Sequence, residues 1–188
     1  MGDEKESAAK AHLGIPEAVF VEDVDKYMKE HEPATAEDML KKLDENYQKY
    51  KLMEVNLTEK KRRLKQQIPD LKDTLDILKH LHSKKDSTKP MATKFLLSGA
   101  LHAKATVPPT DQVCLWLGAN VMLTYSTQEA LDLISKNYTT AVKNLAAVNG
   151  DLGFLRDQFT TTEVTMARLY NWDVKQRRLA KEKDETAK

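Results

Sequence analysis

Cysteine is almost absent from this 188-residue sequence, and so are the long apolar runs that mark secreted and membrane proteins. Cys114 is the single cysteine, so the chain forms no internal disulfide, and its neighbours Val113 and Leu115 predict a thiol buried in a strand. The first ten residues are polar and charged, unlike a signal peptide, and no apolar run is long enough to cross a bilayer. We therefore expect a cytoplasmic protein and leave the nucleus open as a second location.

Aromatic residues are scarce too, and neither sign of charge is in excess. Phe, Trp and Tyr make up 6% of the chain, whereas charged residues make up 31%. This composition suits long helices that bury a narrow seam better than it suits a wide globular core. Lys and Arg number 30 and Asp and Glu number 29, so the chain has no overall attraction to nucleic acid or to an anionic membrane.

The sequence also lacks the groupings of residues that carry chemistry. It contains no Gly-rich phosphate loop and no spaced Cys/His cluster. His80 and His82 are two positions apart, so on a helix they point in different directions and make a poor metal pair. A basic run at 60–65 lies within a helical repeat, where outer-face charge is ordinary; a nuclear signal or nucleic-acid patch is the alternative. We predict no catalytic, metal-binding or cofactor-binding residues, and neither nucleic acid nor membrane as a partner.

Two stretches of the chain repeat apolar residues every seven positions, each for about six heptads. Each series has a companion that completes the alternation of three and four residues typical of a coiled-coil seam. The seam residues are Leu43, Tyr50, Leu57, Leu64, Leu71 and Leu78 in the first array, and Leu131, Tyr138, Leu145, Leu152, Phe159 and Met166 in the second. The two arrays predict two long amphipathic helices.

Each array is preceded by a helix-start signal. Thr35 with Asp38 and Ser126 with Glu129 have the spacing of a capping box, in which a hydroxyl and a carboxylate bind each other's backbone amides. Pro69 lies inside the first array at a position that can face solvent, so we expect a bend there rather than the end of the helix.

The two predicted helices can bury their seams against each other. Because residues 79–130 suffice for the chain to turn back, the pairing is antiparallel. Facing seam residues then have numbers that add up to 209, as in Leu57 with Leu152 and Tyr50 with Phe159. A slip of seven residues fits the heptads as well, and the exact register stays open.

The segment between the arrays predicts β-structure. Residues 84–93 are typical of a loop, and residues 95–107 then predict two short strands around a turn at Ser98-Gly99. Residues 113–125 predict a second pair around 118–120. Such hairpins expose edges and apolar faces, so the insert is expected to complete a larger sheet with other subunits. The residues assigned to this oligomerisation are Phe95, Leu97, Leu101, Val107, Val113, Leu115, Trp116, Leu117, Val121 and Leu123.

Near the end of the second array, more apolar side chains are present than one seam can bury. They are Leu169, Tyr170, Trp172, Val174 and Leu179, which we call the tip residues. One hypothesis is that they form an exposed surface that binds non-native chains. The alternative is that an N-terminal leader folds back over them, with Phe20, Val21, Tyr27 and Met28. Both interpretations stay open at this point.

The predicted fold is therefore mainly α: a long antiparallel two-helix coiled coil with two β-hairpins inserted between the helices. The predicted segments are a partly disordered leader (1–34), a first helix (35–84), the hairpins (85–126), a second helix (127–180) and a disordered tail (181–188).

The arrangement of helix, two hairpins and helix resembles the α class of prefoldin subunits, since the β class has a single hairpin in this place. The stretches 14–24, 113–123 and 155–164 closely resemble eukaryotic members, and the similarity extends from about His12 to Arg178. These peptides are more specific than the heptads, which occur in unrelated coiled coils.

The resemblance implies a heterohexamer of two α and four β subunits whose hairpins form a β-barrel platform. It further implies that the coiled-coil tips hold unfolded actin and tubulin chains and pass them to the cytosolic chaperonin, without ATP or any other cofactor. A coiled-coil scaffold that joins folded partners is the alternative function.

Overall fold

The computed structural model describes His12 and residues 14–186, with side chains described up to Glu182. Its elements in chain order are helix α1 (Val24–Glu30), helix α2 (Ala36–Lys84), strands β1 (Met91–Ser98), β2 (Leu101–Val107), β3 (Gln112–Gly118) and β4 (Val121–Ser126), and helix α3 (Thr127–Thr186). The predicted fold class, long helices with two hairpins between them, is confirmed. The disorder predicted for the leader and tail falls in part on residues 1–11, 13, 187 and 188, which lie outside the described residues.

Both long helices begin with the predicted reciprocal hydrogen bonds. The Asp38 amide donates to Thr35 Oγ1 at 3.2 Å, and Asp38 Oδ2 accepts from the Thr35 amide at 3.2 Å and from its hydroxyl at 2.7 Å. Ser126 and Glu129 make the same three contacts, at 3.2, 3.0 and 2.8 Å. Each capping box satisfies amides that have no partner within the helix, and both predictions are confirmed.

The two helices extend past the points where the sequence suggested interruption. α2 is continuous through Pro69, whose ring lies on an exposed position, so the prediction that the helix does not end there is confirmed. α3 ends at Thr186 instead of residue 180, six residues into the segment predicted as a disordered tail. Residues 179–182 are Leu, Ala, Lys and Glu, all strong helix formers, and this composition favours continuation.

The described chain divides into two compact units, the first made of residues up to Arg62 together with those from Ala146 onwards. In this unit the ring of Phe159 is contacted by Tyr50 and by Tyr47, with ring centroids 6.0 Å and 5.1 Å apart. Tyr50 and Phe159 are one of the pairs that the predicted antiparallel register requires. This contact confirms that register for the first unit and excludes the slip of seven.

The second unit contains residues 63–145, with the hairpins and the adjoining ends of α2 and α3. His82 Nδ1 lies 3.0 Å from Thr127 Oγ1, and these residue numbers also add up to 209. Leu78 and Ala130 are buried beside them. In each unit, the seam residues that it contains are buried or half-buried.

The insert forms two separate antiparallel two-stranded sheets among the described residues. β1 pairs with β2 from Met91 opposite Val107 to Ser98 opposite Leu101, and β3 pairs with β4 from Gln112 opposite Ser126 to Gly118 opposite Val121. Ala119 and Asn120 have φ values of 48° and 61°, as the two central residues of a tight hairpin turn require. The prediction of four strands in two hairpins is confirmed.

Two details of the insert were predicted wrongly. β1 begins at Met91, inside the segment 84–93 that was predicted to be loop, because backbone pairing with Val107 and Thr106 continues the ladder to that residue. The Cys114 side chain is exposed, not buried. Its strand pairs with β4, and the face of the hairpin that carries the thiol is left uncovered in the described chain.

Candidate functional site

The leader lies along α3 and runs in the same direction. His12 Nδ1 is 2.8 Å from Asp151 Oδ1, and its ring stacks on Phe154 with centroids 4.5 Å apart. Further along both segments, Trp172 Nε1 donates to Asp25 Oδ1 at 2.7 Å. Residue numbers increase together in the two segments, so the leader forms a third, parallel element of the first unit.

Two polar side chains of α3 hold the leader through its main chain. The Ala18 amide donates to Gln158 Oε1 at 2.7 Å, and the Thr165 hydroxyl donates to the Val19 carbonyl at 3.1 Å. Gln158 and Thr165 are both buried, and buried polar groups are almost always hydrogen-bonded. The leader therefore accounts for two of the buried polar residues of α3.

Arg168 binds the next part of the leader. Its Nη1 lies 3.2 Å from the carbonyl oxygens of both Val21 and Glu22, and its guanidinium carbon lies 4.9 Å from the centroid of the Phe20 ring. A guanidinium in this position donates to carbonyls and interacts with the aromatic face at the same time. Arg168 thus fixes the end of the extended part of the leader.

Two tyrosines of α2 have hydroxyls with defined partners. Tyr50 is buried, donates to the Pro16 carbonyl at 2.9 Å, and has its pKa raised by that burial. Tyr47 donates to Glu163 Oε1 at 2.9 Å, and this hydrogen bond is the main cause that raises the pKa of Tyr47. Tyr50 therefore ties the leader to α2, and Tyr47 ties α2 to α3.

The leader ends in α1, which covers an apolar cluster. Met28 of α1 is buried together with Ala36, Met39 and Leu169. Tyr27 packs against this cluster, and its partial burial raises the pKa of its hydroxyl. The cluster is the place where leader, α2 and α3 meet.

The structure divides the tip residues into covered and open ones. Leu169 is buried under α1, and Trp172 is half-buried and bonded to Asp25. Val174 is half-buried, whereas Tyr170 and Leu179 are 59% and 41% exposed. The alternative in which the leader covers the tip therefore holds for Leu169 and Trp172, whereas Tyr170 and Leu179 are left open to solvent.

Sequence reasoning missed most of the surface that holds the leader. We define the leader-contact face as Tyr50, Gln158, Thr165, Arg168 and Trp172. The available signal was polarity on the inward side of α3, where the seam position Thr162 and its neighbours Gln158 and Thr165 are buried. In the heptads Gln158 and Thr165 directly precede the seam residues Phe159 and Met166, a position that does not indicate binding of another segment.

The hairpins present apolar side chains that nothing in the second unit covers. Val107, Val113 and Leu115 are half-buried, and the other residues assigned to oligomerisation are exposed. Leu96 and Met122 are exposed as well, although alternation assigned them no role. Each lies within a run of three apolar residues, Phe95-Leu96-Leu97 or Val121-Met122-Leu123, which makes both faces of the strand apolar there. Such a run could have assigned Leu96 and Met122 to the oligomerisation residues as well. The second hairpin is thus largely apolar on both faces, whereas the first has one apolar face and one that carries Lys94, His102 and Lys104.

The residues that the structure describes contain no group of three or more His, Cys, Asp or Glu side chains placed to hold a metal ion. Among these same residues, no helix is both long enough and apolar enough to span a membrane.

These features define a class of protein, a coiled-coil subunit that works by binding other chains. They are the antiparallel pairing of helices in both units, the open apolar hairpins, and a leader that lies on the helices as a peptide would. The model of the family described as "Prefoldin: Prefoldin subunit" matches residues 50–172. The chain belongs to the prefoldin family and is a prefoldin chaperone subunit, with other prefoldin subunits as its partners.

The sequence is similar to prefoldin subunit 3 of several organisms, and the predicted resemblance to eukaryotic prefoldin subunits is confirmed. It is 66% identical to prefoldin subunit 3 of Mus musculus over 168 residues, covering 89% of this chain and 86% of the mouse chain. It is also 66% identical to the Homo sapiens protein, covering 89% and 85%. A cryo-EM structure of filamentous PFD from Methanocaldococcus jannaschii matches with a TM-score of 0.48 and 19% identity, covering 62% of this chain and 94% of that one.

Proposed function

We propose that the chain is an α-class subunit of a heterohexamer with two α and four β subunits, joined by their hairpins into a β-barrel platform. In this proposal the complex captures unfolded actin and tubulin in the cytoplasm, uses no ATP, and delivers them to the cytosolic chaperonin. The exposed apolar side chains of Tyr170 and Leu179 on α3 support capture, and the uncovered apolar side chains of the hairpins support assembly.

The observation that carries the client role is the exposure of Tyr170 and Leu179. The two residues are nine positions apart, so they project from opposite sides of α3 and form two separate apolar contacts, each among charged neighbours such as Lys175 and Arg178. Burying such surface against a non-native chain yields about 25 cal/mol per Å². One contact of this size is weak, and several subunits that act on one client increase the affinity through multivalency.

The test replaces both open tip residues, Tyr170→Ser with Leu179→Ser, in the assembled complex. We expect several-fold weaker suppression of light scattering when denatured actin is diluted from guanidinium. Leu52→Ser with Val55→Ser is the matched control, because these α2 residues are at least as exposed as the two tip residues and lie outside the tip. Trp172 is left intact because its bond to Asp25 also holds the leader.

Unchanged capture by an intact tip-variant complex contradicts the client role. A wild-type complex that never suppresses aggregation favours the alternative, a coiled-coil scaffold for folded partners, because a scaffold has no need of an apolar tip.

A further inference from the structure

The leader is bound almost as a peptide ligand would be. Four side chains of the leader-contact face bond to leader main-chain atoms: Tyr50 to Pro16, Gln158 to Ala18, Thr165 to Val19, and Arg168 to Val21 and Glu22. Donors and acceptors that bind a main chain do not depend on which side chains the bound segment carries. This part of the face therefore accepts an extended segment with little regard to its sequence.

The leader itself has the features of a displaceable segment. Residues 15–23 form neither helix nor strand. Two valines two positions apart show how it is anchored: Val21 is 5% exposed, whereas Val19 is 63% exposed. Val21 is the one buried residue among residues 15–23. Segments with few buried apolar contacts open locally at far lower free energy than the whole fold.

We propose that the leader-contact face is a binding site for an extended, apolar segment of a non-native polypeptide, and that the leader occupies this site within its own chain. A client segment binds when the leader opens, with an aliphatic side chain where Val21 lies. This inference rests on the proposed function and adds a second contact surface to the open tip residues.

The leader then acts as an intrachain competitor whose stability sets the apparent client affinity. The dissociation constant measured for a client is the intrinsic one divided by the fraction of molecules with an open face. A change that weakens the leader without altering the face therefore tightens client binding. A leader that is merely structural has no such effect.

The test compares Val21→Ser with Val19→Ser in the assembled complex. Both variants replace valine with serine, but of the two side chains only that of Val21 is buried. The probe is fluorescently labelled, reduced and carboxymethylated lactalbumin, a permanently unfolded chain, and its binding is followed by anisotropy. We expect Val21→Ser to lower the apparent Kd roughly three- to tenfold and Val19→Ser to leave it unchanged.

A second variant guards against a folding defect. Asp25→Ala removes the carboxylate that accepts from Trp172, and Asp25 is exposed, so the apolar cluster is left intact. We expect Asp25→Ala, like Val21→Ser, to lower the apparent Kd for the unfolded probe. A labelled synthetic peptide of residues 14–30 should bind the Val21→Ser complex, and the unfolded probe should displace it.

The outcomes separate this inference from the proposed function. The inference is overturned if the Val21→Ser and Val19→Ser complexes bind the probe with equal affinity. It is also overturned if the probe fails to displace the peptide. In both cases the proposed function still stands. Weaker capture by Val21→Ser also overturns it, because the leader is then part of the client surface. A complex that captures no probe in any form overturns both.

Discussion

Two buried threonines of α3, Thr162 and Thr165, satisfy their hydroxyls in different ways. Thr165 bonds to the leader, whereas the nearby buried Thr162 donates to the carbonyl of Gln158 in its own helix. A hydroxyl that bonds back to its own helix needs no outside partner. The two threonines look alike in the sequence, and only their partners show which of them takes part in the site.

Tyr50 gives the first prediction, at the scale of one hydroxyl. Tyr50→Phe removes the donor to the Pro16 carbonyl and keeps the ring contact with Phe159. Such a bond contributes about 1 kcal/mol, so the leader should open about five times more often. Hydrogen exchange of the Ala18 amide measures this opening. Tyr170→Phe, at an exposed ring, is the control, and equal exchange rates in the two variants would contradict the prediction.

At the scale of elements, the two capping boxes make the stability of the helix starts depend on pH. In the α3 box, the amide and the hydroxyl of Ser126 hold the pKa of Glu129 below its ordinary value. In the α2 box, the hydroxyl and amide of Thr35 do the same for Asp38. A carboxyl whose pKa is depressed in the folded state stabilises that state above its unfolded pKa. This stabilisation is lost as the pH falls through the depressed folded value.

Ser126→Ala tests this link in α3. Loss of the hydroxyl should raise the pKa of Glu129 part of the way toward its ordinary value, because the Ser126 amide still donates. The helix start should lose about 1 kcal/mol at neutral pH. Carboxyl NMR titration measures the pKa, and thermal unfolding measures the stability. Ser135→Ala, at an exposed site within α3, should change neither quantity. An unaltered Glu129 pKa in Ser126→Ala would show that the Ser126 hydroxyl does not hydrogen-bond to the Glu129 carboxylate.

The elements themselves could be predicted because their signals are local or periodic. Heptads such as Leu57 and Leu64 repeat within the sequence, and the capping pairs lie three residues apart. The contact between Ala18 and Gln158 spans 140 positions and joins a main-chain amide to a side chain, so no periodicity indicates it. The start of β1 was missed for a similar reason: pairing with β2, not the composition of residues 91–93, makes it a strand.

At the scale of the whole molecule, the hairpins are incomplete as isolated elements. Each is a two-stranded sheet, and hairpins of this kind are marginal in water unless further strands or a helix cover them. Their exposed apolar side chains, such as Phe95 and Trp116, would remain in water in a free chain. Other prefoldin subunits are the partners of this chain, and we expect them to cover these surfaces. The exposure of Cys114 in the free chain has the same origin, and assembly is expected to bury the thiol.

We therefore predict that assembly depends on the apolar faces of the hairpins, and that one charged residue placed on such a face prevents it. Leu101→Asp places a carboxylate on an open strand face, and Leu52→Asp places the same group on α2; the two leucines are 63% and 65% exposed in the free chain. If the hairpins join the subunits, Leu101→Asp buries a charge on assembly, at a cost of several kcal/mol. Native mass spectrometry with prefoldin partner subunits should then show the six-chain species for the wild type and for Leu52→Asp, and lose it for Leu101→Asp. Circular dichroism should show equal helix content in both variants. A six-chain species that persists in Leu101→Asp would exclude this face from the subunit contacts, whatever the tip residues do.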